Sequence, residues 1–235
     1  MLSRFAHPEP FEIGSHRYAA AEIIEGLTPY LTPERREKID RVVAARTYSV
    51  VPVLEGLYDR GNVSAVLRSA EALGYQAVHI VELSEKFKKA QRVTQGAEKW
   101  LDIRSWERTS DCLEHLRACG YRILAAHVED AQPITEISFA EPAALFFGNE
   151  REGLTAEVLE DADAHVVVPM AGFTQSYNIS VAAALALYHI YQERMQRLGA
   201  HGDLSEGERR CLTASYYLRC VDYAGNVLQK AHREG

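Results

Sequence analysis

A carboxylate follows closely on a glycine at the end of a strongly apolar run. Residues 143–147 read Ala-Ala-Leu-Phe-Phe, and Gly148, Asn149 and Glu150 come next. An apolar run of this length predicts a buried strand, and α/β proteins build their sites where such strands end. Glycine also lets the backbone approach a bound molecule closely. The pattern predicts a ligand site that includes Glu150, and a plain surface turn explains it less well.

A second polar cluster stands ahead of an Ala-rich helix. The β-branched run 166–168 ends at Pro169, and Ser176 and Asn178 come just before the apolar stretch that starts at residue 179. Free backbone amides at a helix start can hold a nucleotide-like ligand. A well-capped buried helix explains the alanines but not the polar side chains before them. This segment is therefore a second candidate for ligand binding.

A third segment, 61–70, carries Asn62 and Arg68. Asparagine is a common helix cap, and Arg68 follows nearly two turns later, which predicts a position close to the same helix face. Taken alone, this segment is explained by a capping asparagine and a surface arginine as well as by a functional site.

Motifs of several other enzyme classes are absent. Residues 148–153 have the glycine spacing of a phosphate loop, but Leu154 and Thr155 replace the lysine and the serine or threonine that this motif requires. No dinucleotide fingerprint, G-x-S-x-G or H-E-x-x-H pattern occurs, and we expect no metal site. His127, at the end of an apolar run, fits strand-end packing or backbone bonding as well as it fits ligand contact. Four widely spaced cysteines predict reduced, packed thiols: Cys112, Cys119, Cys211 and Cys220.

Short β-rich runs alternate with helical stretches from residue 49 onward. The predicted strands are 49–54, 77–83, 122–128, 143–147 and 165–168. Helices are predicted over 62–73, 110–119 and 179–198, with another beginning at Thr155. This alternation predicts an α/β fold with a mostly parallel sheet covered by helices on both faces.

Helical segments are predicted on both sides of this α/β region. Residues 15–46 predict helices, with Thr32 as a cap and Pro33 in the first helical position. Ser205 and Glu208 match a capping box that begins a C-terminal helix or helix pair. We therefore expect an N-terminal helical extension over 1–48, an α/β domain over 49–198 and a C-terminal helical extension over 199–235.

The net charge of −7 opposes a protein that coats nucleic acid, because phosphate contacts need clustered cations. Net charge does not exclude a local basic patch, and solvated helix faces explain each single cluster equally well. The clusters are Arg35, Arg36, Lys38, Arg41 and Arg46, then Lys86, Lys88, Lys89 and Arg92, then Arg209 and Arg210. No apolar run has the length of a membrane span and the N-terminus lacks a signal-peptide pattern, so we expect a cytoplasmic protein.

Together, the three segments resemble the signature motifs of the SpoU/TrmH methyltransferases, part of the SPOUT group. They read N-x-x-x-x-x-R, G-x-E-x-x-G-L, and V-P-M followed by S-x-N-I-S, in the family's order and spacing across residues 49–198. Their joint occurrence is far more specific than any one of them.

This resemblance implies a deep trefoil knot in the C-terminal half of the domain and a homodimer packed through the knot. Composition and periodicity do not predict such a knot, because threaded connections are rare in proteins. The resemblance also implies that S-adenosylmethionine binds in the knotted loops. The corresponding positions in this chain are Ala126, His127, Gly148, Asn149, Val168, Pro169, Met170, Ser176 and Tyr177.

The family's catalytic roles transfer to five positions. Arg68 matches an essential arginine that is proposed to help deprotonate the ribose 2′-hydroxyl group. Arginine rarely gives up its proton, so clamping the substrate phosphate or stabilising the developing alkoxide is physically easier. Asn62, Glu150, Ser176 and Asn178 match residues that position the arginine or the substrate. In a dimer, the arginine can serve the partner's site.

The short helical extensions resemble the TrmH branch, which methylates guanosine 18 in the D-loop of tRNA, although residues 1–30 have no clear counterpart there. We therefore favour tRNA as the RNA substrate. Three alternatives remain: a ribosomal RNA ribose methyltransferase, a non-catalytic knotted RNA-binding factor, and a small-molecule enzyme on the same scaffold.

Overall fold

The structure, a computed structural model, describes residues 1–57, 59–82 and 96–234, the last four of them by backbone alone. The basic cluster Lys86, Lys88, Lys89 and Arg92 and the end of the strand predicted over 77–83 lie outside these ranges. The chain divides into two units. Met1–Arg4 and Thr47–His201 form the first unit, and Phe5–Arg46 and Gly202–Gly235 form the second.

The first unit is built on a seven-stranded sheet. Its strands lie in the spatial order β5 (Asp102–Trp106), β4 (Ala77–Val81), β3 (Val50–Glu55), β8 (Ala143–Phe147), β6 (Arg122–Ala126), β9 (Ala164–Val167) and β7 (Gln132–Pro133). All of these neighbours pair in parallel. The predicted α/β fold with a mostly parallel sheet is therefore confirmed.

Helices flank this sheet: α3 (Arg60–Ala72), α4 (Thr109–Ala118), α5 (Ala156–Asp161) and α6 (Ile179–Leu198). Helices α3 and α6 bury apolar side chains, among them Val66, Leu67, Leu187 and Ile190, in one core cluster. Strands β3 and β8 are buried along their whole length, as expected of central parallel strands.

Predicted boundaries are most accurate where the sequence signals are local. Strand β8 and helix α6 begin and end at the predicted residues. Gly199, with a φ of 75°, caps the C-terminal end of α6. Helix α3 begins two residues earlier than predicted, and its cap is Asp59, which accepts a hydrogen bond from the Gly61 amide. The prediction that Asn62 caps this helix is wrong, because Asn62 lies inside its first turn.

Two strands of the sheet were not predicted. Strand β5 reads Asp-Ile-Arg-Ser-Trp and is only partly buried, so it lacks the apolar run that marks a central strand. It lies at one edge of the sheet, where it pairs with β4. Strand β7 has two residues, too few for any periodicity to show.

The second unit contains the antiparallel hairpin β1 (Phe11–Ile13) and β2 (His16–Tyr18), followed by α1 (Ala20–Leu27) and α2 (Pro33–Ala44). Its C-terminal part forms α7 (Glu206–Cys220) and α8 (Ala224–Glu234). The helix predicted from residue 15 is wrong for 15–18. A two-residue Gly-Ser connection marks this hairpin, and Gly14 has a φ of 62°.

The helix starts predicted at Thr32 and Ser205 are confirmed. The Thr32 hydroxyl accepts from the Arg35 amide, and Ser205 and Glu208 form the capping box of α7. Short 3-10 helices lie at Thr28–Tyr30, Ala97–Lys99 and Ile134–Glu136. Among the helices of the described ranges, none combines the length and apolar character that crossing a membrane requires.

Candidate active site

A cavity of about 340 Å³ lies beyond the carboxyl ends of β6, β8 and β9. These three strands are neighbours in a parallel sheet, so the loops that follow them meet at one edge. The start of α6 contributes the remaining wall. Small-molecule sites commonly measure about 300–1,000 Å³, so the cavity has the size of a cofactor site.

Most of the residues matched to the family's cofactor site line this cavity. They are Ala126, His127, Gly148, Asn149, Val168, Met170, Ser176 and Tyr177. Pro169 lies between two lining residues, and its carbonyl oxygen accepts a hydrogen bond of 3.2 Å from the Tyr177 hydroxyl. The structure therefore brings three segments that are distant in sequence to one place.

The apolar part of the cavity includes side chains that the sequence did not assign to the site. They are Ile134, Leu145, Phe147, Val166, Ile179, Ala182 and Ala186. All of them except Ile134 belong to a strand or a helix that the sequence predicted. The alternation of Leu145 and Phe147 on β8 was the available signal, because side chains two apart share a face of the sheet.

The loop after β8 is closed by its own backbone. Asn149 and Gly153 exchange two main-chain hydrogen bonds of 3.2 and 3.0 Å, and the Asn149 side-chain oxygen accepts from the amides of Arg151 and Glu152. A Cβ atom on Gly148 would stand 2.2 Å from the Gly153 carbonyl carbon. Glycine at position 148 is therefore required by the backbone that crosses beside it.

Three of the predicted catalytic side chains form one hydrogen-bonded chain. The Asn62 amide donates to the Glu150 carboxylate, and the Asn178 amide donates to the Asn62 side-chain oxygen at 3.3 Å. The Asn178 oxygen in turn accepts from the amide of Ser180 at 2.9 Å and from its hydroxyl at 2.6 Å. Each amide is thus oriented from both ends. Glu150, which is exposed and lines the cavity, is left with a fixed carboxylate at the end of the chain.

Two helix starts position this chain. Asn62 lies in the first turn of α3, which follows β3, and Asn178 is the N-cap of α6. Strand β3 pairs with β8, and Glu150 lies in the loop that follows β8. Because these strands are parallel, the segments after them meet although Asn62 and Glu150 are 88 residues apart.

His127 makes the backbone bond that the sequence predicted as one of two roles, and its position also leaves it at the cavity. Its backbone amide donates to the Val166 carbonyl at 3.1 Å, which extends the pairing of β6 with β9, and it also lines the cavity. Its ring packs edge-on against His165 with the centroids 5.4 Å apart, and its Nε2 is 3.8 Å from the Glu129 carboxylate.

Arg68 lies away from this cavity. It is exposed on α3 and lines a different cavity of about 670 Å³, together with Ser69 and Trp100 among others. The expectation that Arg68 shares a helix face with Asn62 is wrong. Six residues make about one and two-thirds turns, which leaves the two side chains about 120° apart around the helix axis.

The described residues contain no cluster of side chains that would suit a metal ion. Cys112, Cys119, Cys211 and Cys220 are free thiols, and all but Cys220 are buried. Three of the four cysteines are therefore packed in the interior, as the sequence predicts.

The sequence model of the SpoU rRNA Methylase family matches residues 49–188, more than half of the chain. The chain is 34% identical over 196 residues to the tRNA (guanosine(18)-2′-O)-methyltransferase of Borreliella burgdorferi, an alignment that covers 83% of this chain and 89% of that protein.

Solved structures give the same result. The A. aeolicus TrmH/SpoU tRNA modifying enzyme has a TM-score of 0.71 at 26% identity, over 80% of this chain and 98% of that chain. The SpoU methyltransferase AviRb from Streptomyces viridochromogenes, solved in complex with the cofactor AdoMet, has a TM-score of 0.53 at 27% identity, over 62% of this chain and 57% of that one. The resemblance in the sequence motifs is confirmed, and this chain is a methyltransferase of the SpoU family.

Proposed function

We propose that this protein is an S-adenosylmethionine-dependent 2′-O-ribose methyltransferase that acts on guanosine 18 of tRNA. The observation that carries the proposal is the hydrogen-bonded chain of Asn178, Asn62 and Glu150, which ends at a cavity of cofactor size. The name of the Borreliella burgdorferi relative, which aligns with most of both chains, supports tRNA as the substrate.

The cavity suits the two chemical parts of S-adenosylmethionine. Apolar side chains such as Leu145, Phe147 and Val166 can pack against an adenine ring, while the backbone groups of loops 126–128, 148–153 and 168–170 can bond its polar edge. Glu150 and Glu152 lie on the same wall and can attract a positively charged sulfonium. When bound, this cofactor supplies an electrophilic methyl group.

The protein's own side chains orient the nucleophile. Glu150 has a carboxylate that can accept a hydrogen bond from a ribose hydroxyl, and Asn62 holds that carboxylate in one rotamer. Asn178 fixes Asn62, and Ser176 adds a hydroxyl group to the cavity lining. A hydroxyl oriented in this way is held for attack on the methyl group.

We assign Arg68 the role of an electrostatic clamp in the partner subunit's active site. A guanidinium keeps its proton and binds phosphate or a developing alkoxide well, whereas it is a poor base. Its position in a different cavity from Glu150 supports action across a dimer.

The proposal includes a homodimer packed through a trefoil knot in the C-terminal half of residues 49–198. An exposed apolar stripe on α6 supports the dimer. Val181, Leu185, Tyr188 and Met195 are 38% to 54% exposed and recur at helical spacing on one face. The ranges 1–48 and 199–235 are proposed as helical extensions of the methyltransferase domain. The free cysteines support action in the cytoplasm.

Methyl transfer from radiolabelled S-adenosylmethionine to RNA transcripts tests this function. We expect label in a tRNA transcript, lost when guanosine 18 is replaced, and resistance of the adjacent phosphodiester bond to alkali. Label confined to ribosomal RNA fragments would identify the ribosomal alternative. Binding of RNA without any transfer would identify a non-catalytic factor, and RNA binding that does not weaken with salt would favour a small-molecule substrate.

A further inference from the structure

Glu55 is a buried carboxylate just beneath the candidate active site. It is the last residue of β3 and only 1% exposed. Its Oε1 accepts hydrogen bonds from the hydroxyl groups of Thr109 at 2.6 Å and Thr155 at 2.9 Å. Its Oε2 accepts from the Thr155 amide at 2.9 Å. A buried carboxylate is tolerated only with such partners, so the donors and Glu55 depend on each other.

These donors come from two different helix starts. Thr109 is the first residue of α4, and Thr155 is the N-cap of α5. Thr155 also ends the loop that carries Glu150, whereas Thr109 has no part in that loop. The two hydroxyl groups therefore make the same kind of bond to the same oxygen atom, but only one of them fixes the active-site loop.

Glu55 also stands seven residues before Asn62, at the end of the strand that precedes α3. It is followed by Gly56, whose φ of 63° turns the chain, and then by Asp59, which caps α3 just before Asn62. The Glu150 loop is therefore bonded, through Thr155, to the end of the strand that precedes Asn62 in the chain.

We propose that Glu55 is a positioning residue for methyl transfer, which sets the Glu150 loop in register with Asn62. The inference rests on the proposed function, since its effect is on the orientation of the carboxylate assigned to the substrate. The loop itself is closed by the main-chain bonds between Asn149 and Gly153, so we expect it to keep its internal conformation when this anchor is weakened.

Glu55→Gln is the direct test. A glutamine side chain has a single acceptor oxygen, so it cannot receive all the bonds that both carboxylate oxygens accept. We expect kcat for RNA methylation to fall by about tenfold to a hundredfold, because small displacements of positioned groups have effects of that size. The Kd for S-adenosylmethionine, measured by calorimetry, should change less than about threefold, since binding and turnover are separable.

Thr155→Val and Thr109→Val form a matched pair that also covers the case in which Glu55→Gln does not fold. Each removes one hydroxyl donor to the same oxygen, and Thr155→Val also removes the acceptor that caps α5 at the Val158 amide. Thr155→Val should lower kcat and speed hydrogen exchange of the 148–155 amides, whereas Thr109→Val should do neither. Thr155→Ser, which keeps the hydroxyl group, should restore both readouts.

The outcomes separate this inference from the proposed function. If the wild-type protein methylates RNA but Glu55→Gln and Thr155→Val are no slower than Thr109→Val, Glu55 is only structural and the inference is overturned. If the wild-type protein does not methylate RNA, the proposed function fails, and the exchange rates of the loop still decide whether Glu55 anchors it.

Discussion

Within the part of the chain that the structure describes, Glu150 receives its orientation from an amide and not from a cation. The Asn62 amide donates to its carboxylate, and Asn178 and Ser180 fix that amide in turn. An amide orients a carboxylate without neutralising it, so the negative charge stays available at the cavity. This is the arrangement expected for a group that binds a hydroxyl donor or faces a cationic cofactor.

Replacement of Glu150 by glutamine tests this role. The amide oxygen of Gln can accept from Asn62, but the remaining NH₂ group then faces the substrate as a donor. We expect kcat to fall by about a hundredfold, which is typical of lost positioning of a reacting group. Glu157→Gln, which replaces an exposed carboxylate in the first turn of α5 that does not line the cavity, is the control and should retain most activity. Equal effects of the two variants in a methylation assay would refute the assignment.

His79 gives the fold a sensitivity to acid. Burial, followed by electrostatic interaction with His115 and with the Arg104 guanidinium, lowers the pKa of His79 from 6.5 to about 3. The unfolded chain therefore takes up a proton between these values that the folded chain does not, and stability falls as the pH drops below 6.5. From His79 alone we expect a loss on the order of 2 kcal/mol at pH 5.

Urea unfolding at pH 7.5 and pH 5 measures this loss in the wild-type protein and in His79→Asn. Asparagine keeps an acceptor for the Trp106 ring N–H, which donates to His79 Nδ1 at 3.2 Å, but it does not titrate. The variant should lose less stability on acidification. An identical pH dependence in both proteins would show that another group is responsible.

At the scale of elements, local signals located the strand and helix that hold the cofactor cavity. The apolar run of β8 and the capping and glycine signals of α6 depend only on neighbouring residues, and both elements have the predicted bounds. Strand β5 was not predicted from the sequence, because an edge strand is only partly buried and needs no continuous apolar run. The cap of α3 is Asp59 and not Asn62. Both residue types can cap a helix, so residue type alone does not distinguish the two positions.

The loop after β8 provides a prediction at this scale. Gly148→Ala places a Cβ 2.2 Å from the Gly153 backbone, so the loop must move, at a typical cost of about 1–3 kcal/mol for overpacking. We expect lower thermal stability and a Kd for S-adenosylmethionine raised by about tenfold or more, since 1.4 kcal/mol corresponds to tenfold. Gly172→Ala, where the nearest atom is 3.9 Å away, should change neither value. Unimpaired cofactor binding in Gly148→Ala would contradict the role of the loop.

At the scale of the whole molecule, the apolar stripe on α6 predicts self-association. Tyr188 is 54% exposed within this stripe, whereas Tyr30 is 60% exposed outside it. Tyr188→Glu should convert the dimer to a monomer in analytical ultracentrifugation, because it places a charge in an apolar contact. Tyr30→Glu is matched in exposure and chemistry and should remain dimeric. A wild-type monomer would exclude the proposed dimer.

Mixed dimers test whether Arg68 acts across the subunit boundary. Arg68→Ala and Glu150→Ala should each abolish methyl transfer. Dimers that contain one subunit of each kind, purified through two different tags, should recover about half of the wild-type rate, because one of two symmetric sites then holds both intact residues. Mixed dimers without activity would place both residues in the same subunit's site.

The sequence alone determined the family, the parallel α/β plan and the loops that surround the cofactor cavity, because each depends on short-range patterns of glycine, apolar and capping residues. The tertiary structure decided which of those residues meet. Asn62 contacts Glu150 because β3 lies beside β8, and Arg68 faces elsewhere because six residues do not complete two helical turns. Glu55 became visible only in three dimensions, since its partners lie 54 and 100 residues away and no local pattern connects them.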